Sequence, residues 1–149
     1  MTDEIDFEFR LFSVGWAEGR LVIGDSSVIV VASYLSDALG DLLRALRALT
    51  EGAVDASATW EDEPGEVQWV FGRDGPSVHV QVVNVGVTRS RRWLDEQVPL
   101  VALIQAFAKG ARGVVSRYGV SGYEEQWARH PFPTNDLEAV EDWLSQHNR

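Results

Sequence analysis

The chain contains no cysteine, and Lys109 is the only lysine among its 149 residues. Without cysteine it can form no disulfide, no thiolate zinc site and no cysteine nucleophile. It has no apolar run near the ~18 residues that a membrane-spanning helix needs. The first residues, with Asp3, Glu4, Asp6 and Glu8, lack the basic and apolar regions of a signal peptide. These absences predict a cytoplasmic protein with no membrane partner.

Positive charge is also scarce. The chain has 13 basic and 23 acidic residues, which gives a formal net charge of −10. Nucleic-acid binding depends on neutralising phosphates, so this balance predicts no nucleic-acid partner and is compatible with attraction to a basic protein. Hydrophobic residues make up 45% of the sequence, enough for a full core. The length and the lack of a linker-like segment predict a single α+β domain over residues 1–149.

Apolar periodicity predicts six strands. Apolar and polar residues alternate over 5–11, which is typical of a half-buried strand. Further strands are expected at 20–23, 28–32, 54–60, 66–71 and 78–87. The apolar parity changes at Val82–Val83, which predicts a β-bulge there. Short turns between neighbouring strands indicate antiparallel pairing.

Three helices are expected. Leucines at helical spacing over 35–49 predict the first helix, with Ser33 or Ser36 as N-cap. The second helix is expected from Pro99 to Tyr118, where Gly119 ends it. Residues 122–133 look irregular, apart from one helical turn around 124–127. A last helix is expected to begin at Asn135, with Glu138 completing a capping box.

Together these elements predict an α+β fold in the order βββα-βββα-α. The expected architecture is a single antiparallel sheet of about six strands with the helices packed on one face. The residues expected to be buried together in its core are Val30, Leu39, Leu42, Leu46, Trp69, Phe71, Val80, Leu103 and Phe107.

The segment around His130 is one candidate site. Pro131 and Pro133 stiffen the chain on one side of this ionisable group, and three aromatic residues lie close by: Tyr123, Trp127 and Phe132. An ionisable side chain on a rigid loop suits contact with a ligand or partner. The alternative is a plug, in which the aromatic side chains fill a gap between the last two helices.

A second candidate is the only basic cluster, in a predicted loop over residues 88–93. It consists of three arginines followed by Trp93: Arg89, Arg91 and Arg92. The functional interpretation is an anion or phosphate contact, helped by the N-terminus of the next helix. The alternative is an exposed loop whose arginines pair with Asp95 and Glu96.

Other chemistry finds little support. Glu61, Asp62, Glu63 and Glu66 cluster in one turn but lack the ligand order of a calcium loop, so a solvated hairpin tip is expected. The sequence has no nucleophile elbow, zinc-protease, dinucleotide-binding or P-loop motif. We therefore assign no catalytic residue, no metal ligand and no cofactor.

Three stretches carry a resemblance to known sequences: Ser33–Leu39, Trp60–Glu66 before Trp69, and His130–Pro133 before a helix with Trp143. Together they resemble a group of uncharacterised α+β proteins of high-GC Gram-positive bacteria, a domain of unknown function with no known catalytic residues. In size, charge and class the chain is also similar to small acidic immunity proteins that neutralise polymorphic toxins.

The function predicted from these features is a protein-interaction module, an immunity-like or regulatory binder of a basic partner. The alternative is a small-ligand-binding protein or enzyme with a pocket under residues 119–133. A flat acidic surface with an exposed tryptophan would favour the first, and a pocket joining His130, Tyr123 and an acidic side chain would favour the second. The sequence leaves open whether the chain is an enzyme and whether it forms a homodimer.

Overall fold

The computed structural model describes residues 4–127 and 130–147. Asp3, named above in the acidic N-terminal stretch, and residues 128–129 of the 119–133 segment lie outside the described residues. In chain order the elements are β1 (Ile5–Ser13), β2 (Trp16–Ile23), β3 (Ser26–Ser33), α1 (Ala38–Thr50), β4 (Asp55–Glu61), β5 (Glu66–Asp74), β6 (Ser77–Val85), β7 (Ser90–Pro99), α2 (Leu100–Trp127) and α3 (Thr134–His147). Within these residues, no helix has the length and apolarity needed to cross a membrane.

The strands form two antiparallel sheets, β1-β2-β3 and β4-β5-β6-β7. The predicted α+β class and antiparallel pairing are confirmed, but the single six-stranded sheet is wrong. α1 separates β3 from β4 in the chain. The strands joined by short turns on each side of it, β1–β3 and β4–β7, therefore pair only with one another. The predicted packing of the helices on one face changes accordingly: α2 packs along β1, and α1 packs along β4.

A seventh strand replaces the second half of the predicted basic loop, so the order βββα-βββα-α is also wrong. β7 begins at Ser90, which pairs with Val85, and it ends at Pro99, which pairs with Ser77. The N-terminus of α2 therefore lies at the opposite end of β7 from the arginines. The predicted help of this helix N-terminus in anion binding is wrong, because the arginines lie before and at the start of β7 whereas α2 begins only after its last residue, Pro99.

The predicted β-bulge is confirmed in position, but it does not keep both sets of valines facing the core, and Val87 is 75% exposed. The register between β6 and β7 shifts between Val82 and Val83, where Trp93 on β7 is left without a partner. The extra residue thus belongs to the neighbouring strand. Val82 is buried, whereas Val83 and Val85 are only half-buried, so the second apolar set of β6 lies at the margin of the core.

Two helix boundaries differ from those predicted. α1 begins at Ala38 with Asp37 in the N-cap position, because residues 34–37 are needed to turn the chain out of β3. Leu35 precedes the helix and is 55% exposed, so it does not belong to the apolar stripe. In α2 the backbone is interrupted at Gly119, where φ is 73°, and then continues as helix to Trp127. The break at Gly119 was predicted, and so was helical structure around 124–127, but the helix resumes sooner after Gly119 than the single predicted turn.

Aromatic rings join the two sheets. Phe9 of β1 packs edge-on against Trp60 of β4 with 5.7 Å between ring centroids, and Phe7 meets Trp69 of β5 at 6.2 Å. Phe107 of α2 lies 4.6 Å from Phe7. The buried faces of the two sheets therefore pack against each other, with α2 closing one side. All nine residues predicted for the core are buried in this cluster.

Two glycines allow unusually close approach. A Cβ at Gly110 of α2 would lie 2.4 Å from the carbonyl oxygen of Phe7, so the helix backbone packs directly on β1. A Cβ at Gly19 of β2 would lie 2.7 Å from the ring of Trp60. The spacing of α2 from β1 and of β2 from β4 depends on these missing side chains.

Candidate interaction surface

The turns that follow β1, β4 and β6 lie at the same end of the molecule as the end of β3. Antiparallel pairing places the β1–β2 turn beside the end of β3, and the β4–β5 turn beside the β6–β7 turn. The two sheets meet here, since Glu61 N–H donates to Ser36 Oγ at 3.0 Å. The β1–β2 turn is held by Gly15, whose carbonyl accepts from Tyr34 N–H at 2.8 Å.

The C-terminal part of α2 reaches the same end. The hydroxyl of Tyr118 accepts from Leu11 N–H and donates to Leu11 O, at 3.0 and 3.1 Å. Gly15 N–H donates to Gln126 O at 3.0 Å, and His130 Nε2 lies 3.0 Å from Tyr34 O. We call this surface the loop end; it comprises residues 12–16, 34–37, 61–66, 85–93, 119–120 and 130.

Exposed apolar side chains concentrate at the loop end. Of the nine large hydrophobic side chains exposed among the described residues, two lie elsewhere: Ile29 in the middle of β3, and Val54 at the opposite end. The other seven belong to the loop end: Phe12, Val14, Tyr34, Leu35, Val87, Trp93 and Val120. Single exposed apolar residues are ordinary on any protein, but a group gathered on one surface is typical of an interaction site.

The acidic turn of the sequence forms one hairpin tip of the loop end, between β4 and β5. It is closed by Asp62 N–H donating to Gly65 O at 3.0 Å. Partial burial raises the pKa of Asp62. No three His, Asp or Glu side chains within the described ranges are placed as the ligands of a metal ion would be. The tip therefore contributes negative charge next to Ser36 and the exposed Leu35.

The basic cluster forms the neighbouring tip, between β6 and β7. A Cβ at Gly65 would lie 2.7 Å from Val85 O, so the acidic and basic tips are in direct contact. Arg89, Arg91 and Arg92 are all exposed. Negative and positive charge thus adjoin on one surface, with Val87 exposed between them.

The expected pairing of the arginines with Asp95 and Glu96 holds for one arginine. Arg92 Nη1 lies 3.0 Å from Asp95 Oδ2, while Glu96 Oε2 accepts from Ser26 Oγ at 3.4 Å. Arg89 and Arg91 make no ion pair with any described residue. Two guanidinium groups are therefore left for an anionic partner group.

Asp95 also binds His79 on the outer face of the second sheet. His79 Nε2 is hydrogen-bonded to Asp95 Oδ1. This hydrogen bond, aided by a hydrogen bond from Gln81 and the charge of Arg92, holds the pKa of Asp95 below its ordinary value. The carboxylate is thus already engaged on two sides.

The aromatic residues of the His130 segment lie inside the protein. Tyr123 packs edge-on against Phe132 at 5.3 Å and stacks near Trp127 at 6.5 Å, and all three are buried. His130 is half-buried and reaches the surface beside Tyr34. The structure therefore brings His130 to the loop end and places Tyr123, Trp127 and Phe132 in the core beneath it.

Unpaired polar atoms accompany these aromatic side chains. Tyr123 Oη, Trp127 Nε1 and Asp37 Oδ1 are buried without a hydrogen-bond partner among the described residues. Burial raises the pKa of Tyr123, and the negative charge of Asp37 raises it further, so the hydroxyl remains protonated. Asp37 uses its other oxygen, Oδ2, to pair with Arg44 at 3.0 Å.

Apart from Trp93, sequence reasoning did not single out the exposed apolar residues of the loop end as contact residues. Phe12 interrupts the alternation of β1 and Leu35 precedes the true start of α1, and these irregularities were the available signals. It also missed a groove of about 680 Å³ between α2 and α3, lined in part by Lys109, Arg112 and Leu144. Arg112 bridges this groove by pairing with Glu141, Nε to Oε2 at 3.0 Å.

Comparison with known proteins finds no family model, no curated protein and no solved structure that matches this chain. The resemblance to uncharacterised proteins of high-GC Gram-positive bacteria and the likeness to immunity proteins therefore stay predictions.

Proposed function

We propose that the protein is an interaction module that docks a protein partner of net positive charge on the loop end. The observation that carries this proposal is the concentration of seven exposed apolar side chains at one end of the molecule. Protein interfaces commonly combine apolar and aromatic anchors with a polar, charged rim. The loop end has that composition, with an acidic and a basic hairpin tip flanking its apolar residues.

The net negative charge of the protein supports a partner of net positive charge. A net charge of −10 attracts a basic protein over distance and speeds the encounter. The acidic β4–β5 tip, next to Leu35, gives this attraction a local target. This function could take two forms. The protein would cover a basic toxin, as an immunity protein does, or it would regulate a partner by covering a basic surface.

The alternative is a small-ligand-binding protein or enzyme with a pocket under residues 119–133. It is supported by the buried unpaired atoms of Asp37, Tyr123 and Trp127. Against it, the aromatic rings of this segment pack on one another and on Phe9. His130 contacts the Tyr34 carbonyl oxygen at 3.0 Å and, among the described residues, makes no hydrogen bond with Tyr123, whereas the pocket would join these two side chains.

A defined probe tests the docking proposal. We suggest titrating the protein with a synthetic amphipathic helix of leucine and lysine, followed by backbone amide NMR. Shifts are expected to concentrate at residues 12–16, 34–37 and 61–66. The double variant Val14→Ser/Leu35→Ser should weaken binding by about tenfold, as loss of interface anchors does. The same peptide with glutamate in place of lysine should bind more weakly.

The matched control is Val54→Ser, because Val54 is 71% exposed, close to the 76% of Val14, but lies at the opposite end. It should leave binding unchanged. Equal weakening by the control, or shifts centred on the groove between α2 and α3, would contradict the proposal.

A further inference from the structure

The strand β7 has an unpaired edge. It is the last strand of its sheet, and β3 of the other sheet approaches it near Glu96, which accepts from Ser26 Oγ. Residues 90–95 precede that approach. Within the described part of the chain, no backbone hydrogen bond joins them to any element other than β6. Free N–H and C=O groups along a strand edge form a template for an added strand.

The charges along the free edge of β7 determine which kind of strand can pair with it. Arg89 and Arg91 have no partner among the described residues, and Arg92 shares Asp95 with His79. Charged side chains on an edge commonly prevent pairing with like-charged strands. Uncompensated arginines repel a basic segment and attract an acidic one, so the same residues exclude one class of strand and favour another.

Trp93 supplies an apolar contact at the same place. It stands in the bulge without a cross-strand partner and is 41% exposed. Tryptophan is among the residues most enriched at the energetic centres of interfaces. An aromatic ring held beside a free edge can pack on an apolar side chain of an added strand, while the arginines bind its carboxylates.

We infer that the partner adds an extended acidic segment to β7. Its backbone pairs with residues 90–95, its carboxylates meet Arg89 and Arg91, and one of its apolar side chains packs on Trp93. This inference rests on the proposed function, because the exposed half of β7 belongs to the loop end, and it states how part of the partner is recognised. The rest of the partner can be basic, since the acidic tip is the adjoining hairpin.

A short synthetic peptide that alternates glutamate and valine is the probe. Calorimetric titration should detect binding that weakens by about tenfold in Arg89→Glu/Arg91→Glu, because two charge-assisted contacts become repulsive. The control with the same change in net charge is Arg20→Glu/Arg117→Glu, two exposed arginines on β2 and α2. The control should lose far less affinity. Trp93→Ser should also weaken binding.

Backbone pairing is tested separately from charge. Replacing the central valine of the peptide with proline keeps its charge but removes a strand hydrogen bond, so binding should fall. Amide exchange at residues 90–93 should slow when the original peptide is bound. Equal affinity for the proline peptide, for a lysine–valine peptide or for inorganic phosphate would overturn strand addition. If the leucine–lysine helix still binds through Val14 and Leu35 in that case, docking at the loop end stands without it.

Discussion

At the scale of single residues, two glycines on α2 differ sharply in their surroundings. A Cβ at Gly110 would lie 2.4 Å from the Phe7 carbonyl oxygen, whereas a Cβ at Gly113 would meet nothing within 4 Å. Gly110→Ala should therefore destabilise the protein by about 1–3 kcal/mol through overpacking. Gly113→Ala should stabilise it by up to about 1 kcal/mol, because alanine is the better helix former. Urea unfolding of both variants checks this, and a similar effect of the two would contradict it.

The His79–Asp95 pair predicts a pH effect. Its hydrogen bond lowers the pKa of Asp95 in the folded protein. Such a group stabilises the fold above the ordinary carboxyl pKa, and this contribution is lost as the pH falls through the lowered value. His79→Ala should raise the pKa of Asp95, because it removes the largest of the interactions that stabilise the carboxylate. Carboxyl-carbon NMR titration measures it, and an unchanged midpoint would show that His79 is not the cause.

At the scale of elements, the segment after Gly119 contains a buried residue, Trp127, and a residue that reaches the surface, His130. Trp127 is fully buried against Phe9 and Tyr123. Trp127→Ala should cost about 3–5 kcal/mol of stability, as large-to-small changes of core aromatics do. His130→Gln should change the melting temperature little, because His130 contributes one surface hydrogen bond to Tyr34 O.

Peptide binding by His130→Gln then distinguishes the two interpretations of the segment. Binding of the leucine–lysine helix that stays at the wild-type level supports the plug. Weaker binding at unchanged stability would mean that His130 itself contacts the partner. Thermal unfolding and peptide titration on the same samples provide both readouts.

The elements that the sequence predicts well are those with strong periodicity. β1 and β5 alternate cleanly, and the leucines of α1 repeat at helical spacing, so these elements and their buried faces were found. β7 was missed because it is an edge strand in which only Leu94 and Val98 are buried. Its arginines face solvent, and nothing in their pattern distinguishes such a strand from a loop.

At the scale of the whole molecule, pairing between distant segments could not be predicted. Whether β3 pairs with β4 depends on how α1, which lies between them in the chain, positions the two strands. The periodicity of apolar residues does not indicate that position. For the same reason the His130 segment and the arginine cluster were predicted as two separate sites. That the three arginines lie at one end with Phe12, Val14 and Leu35 follows from the antiparallel register of both sheets, and His130 reaches the same end through its contact with Tyr34 O.

The charge of the whole molecule predicts its behaviour toward DNA. With a net charge of −10, the protein should form no appreciable complex with random duplex DNA at physiological salt, because its one basic cluster can neutralise only a few of the many phosphates that DNA binding requires. Fluorescence anisotropy with labelled duplex checks this over a range of salt concentrations. A tight, salt-sensitive complex would contradict it, and Arg89→Glu/Arg91→Glu would then show whether the basic tip is responsible.

The contact between Gly19 and Trp60 has a consequence for evolution. The two residues lie in different sheets, and the indole ring occupies the space that a side chain at position 19 would need. A mutation at either position changes what the other tolerates, so the order in which substitutions arise matters. Along a lineage, a larger residue at position 19 should become acceptable only after position 60 has become smaller. The pair is therefore expected to change together or not at all.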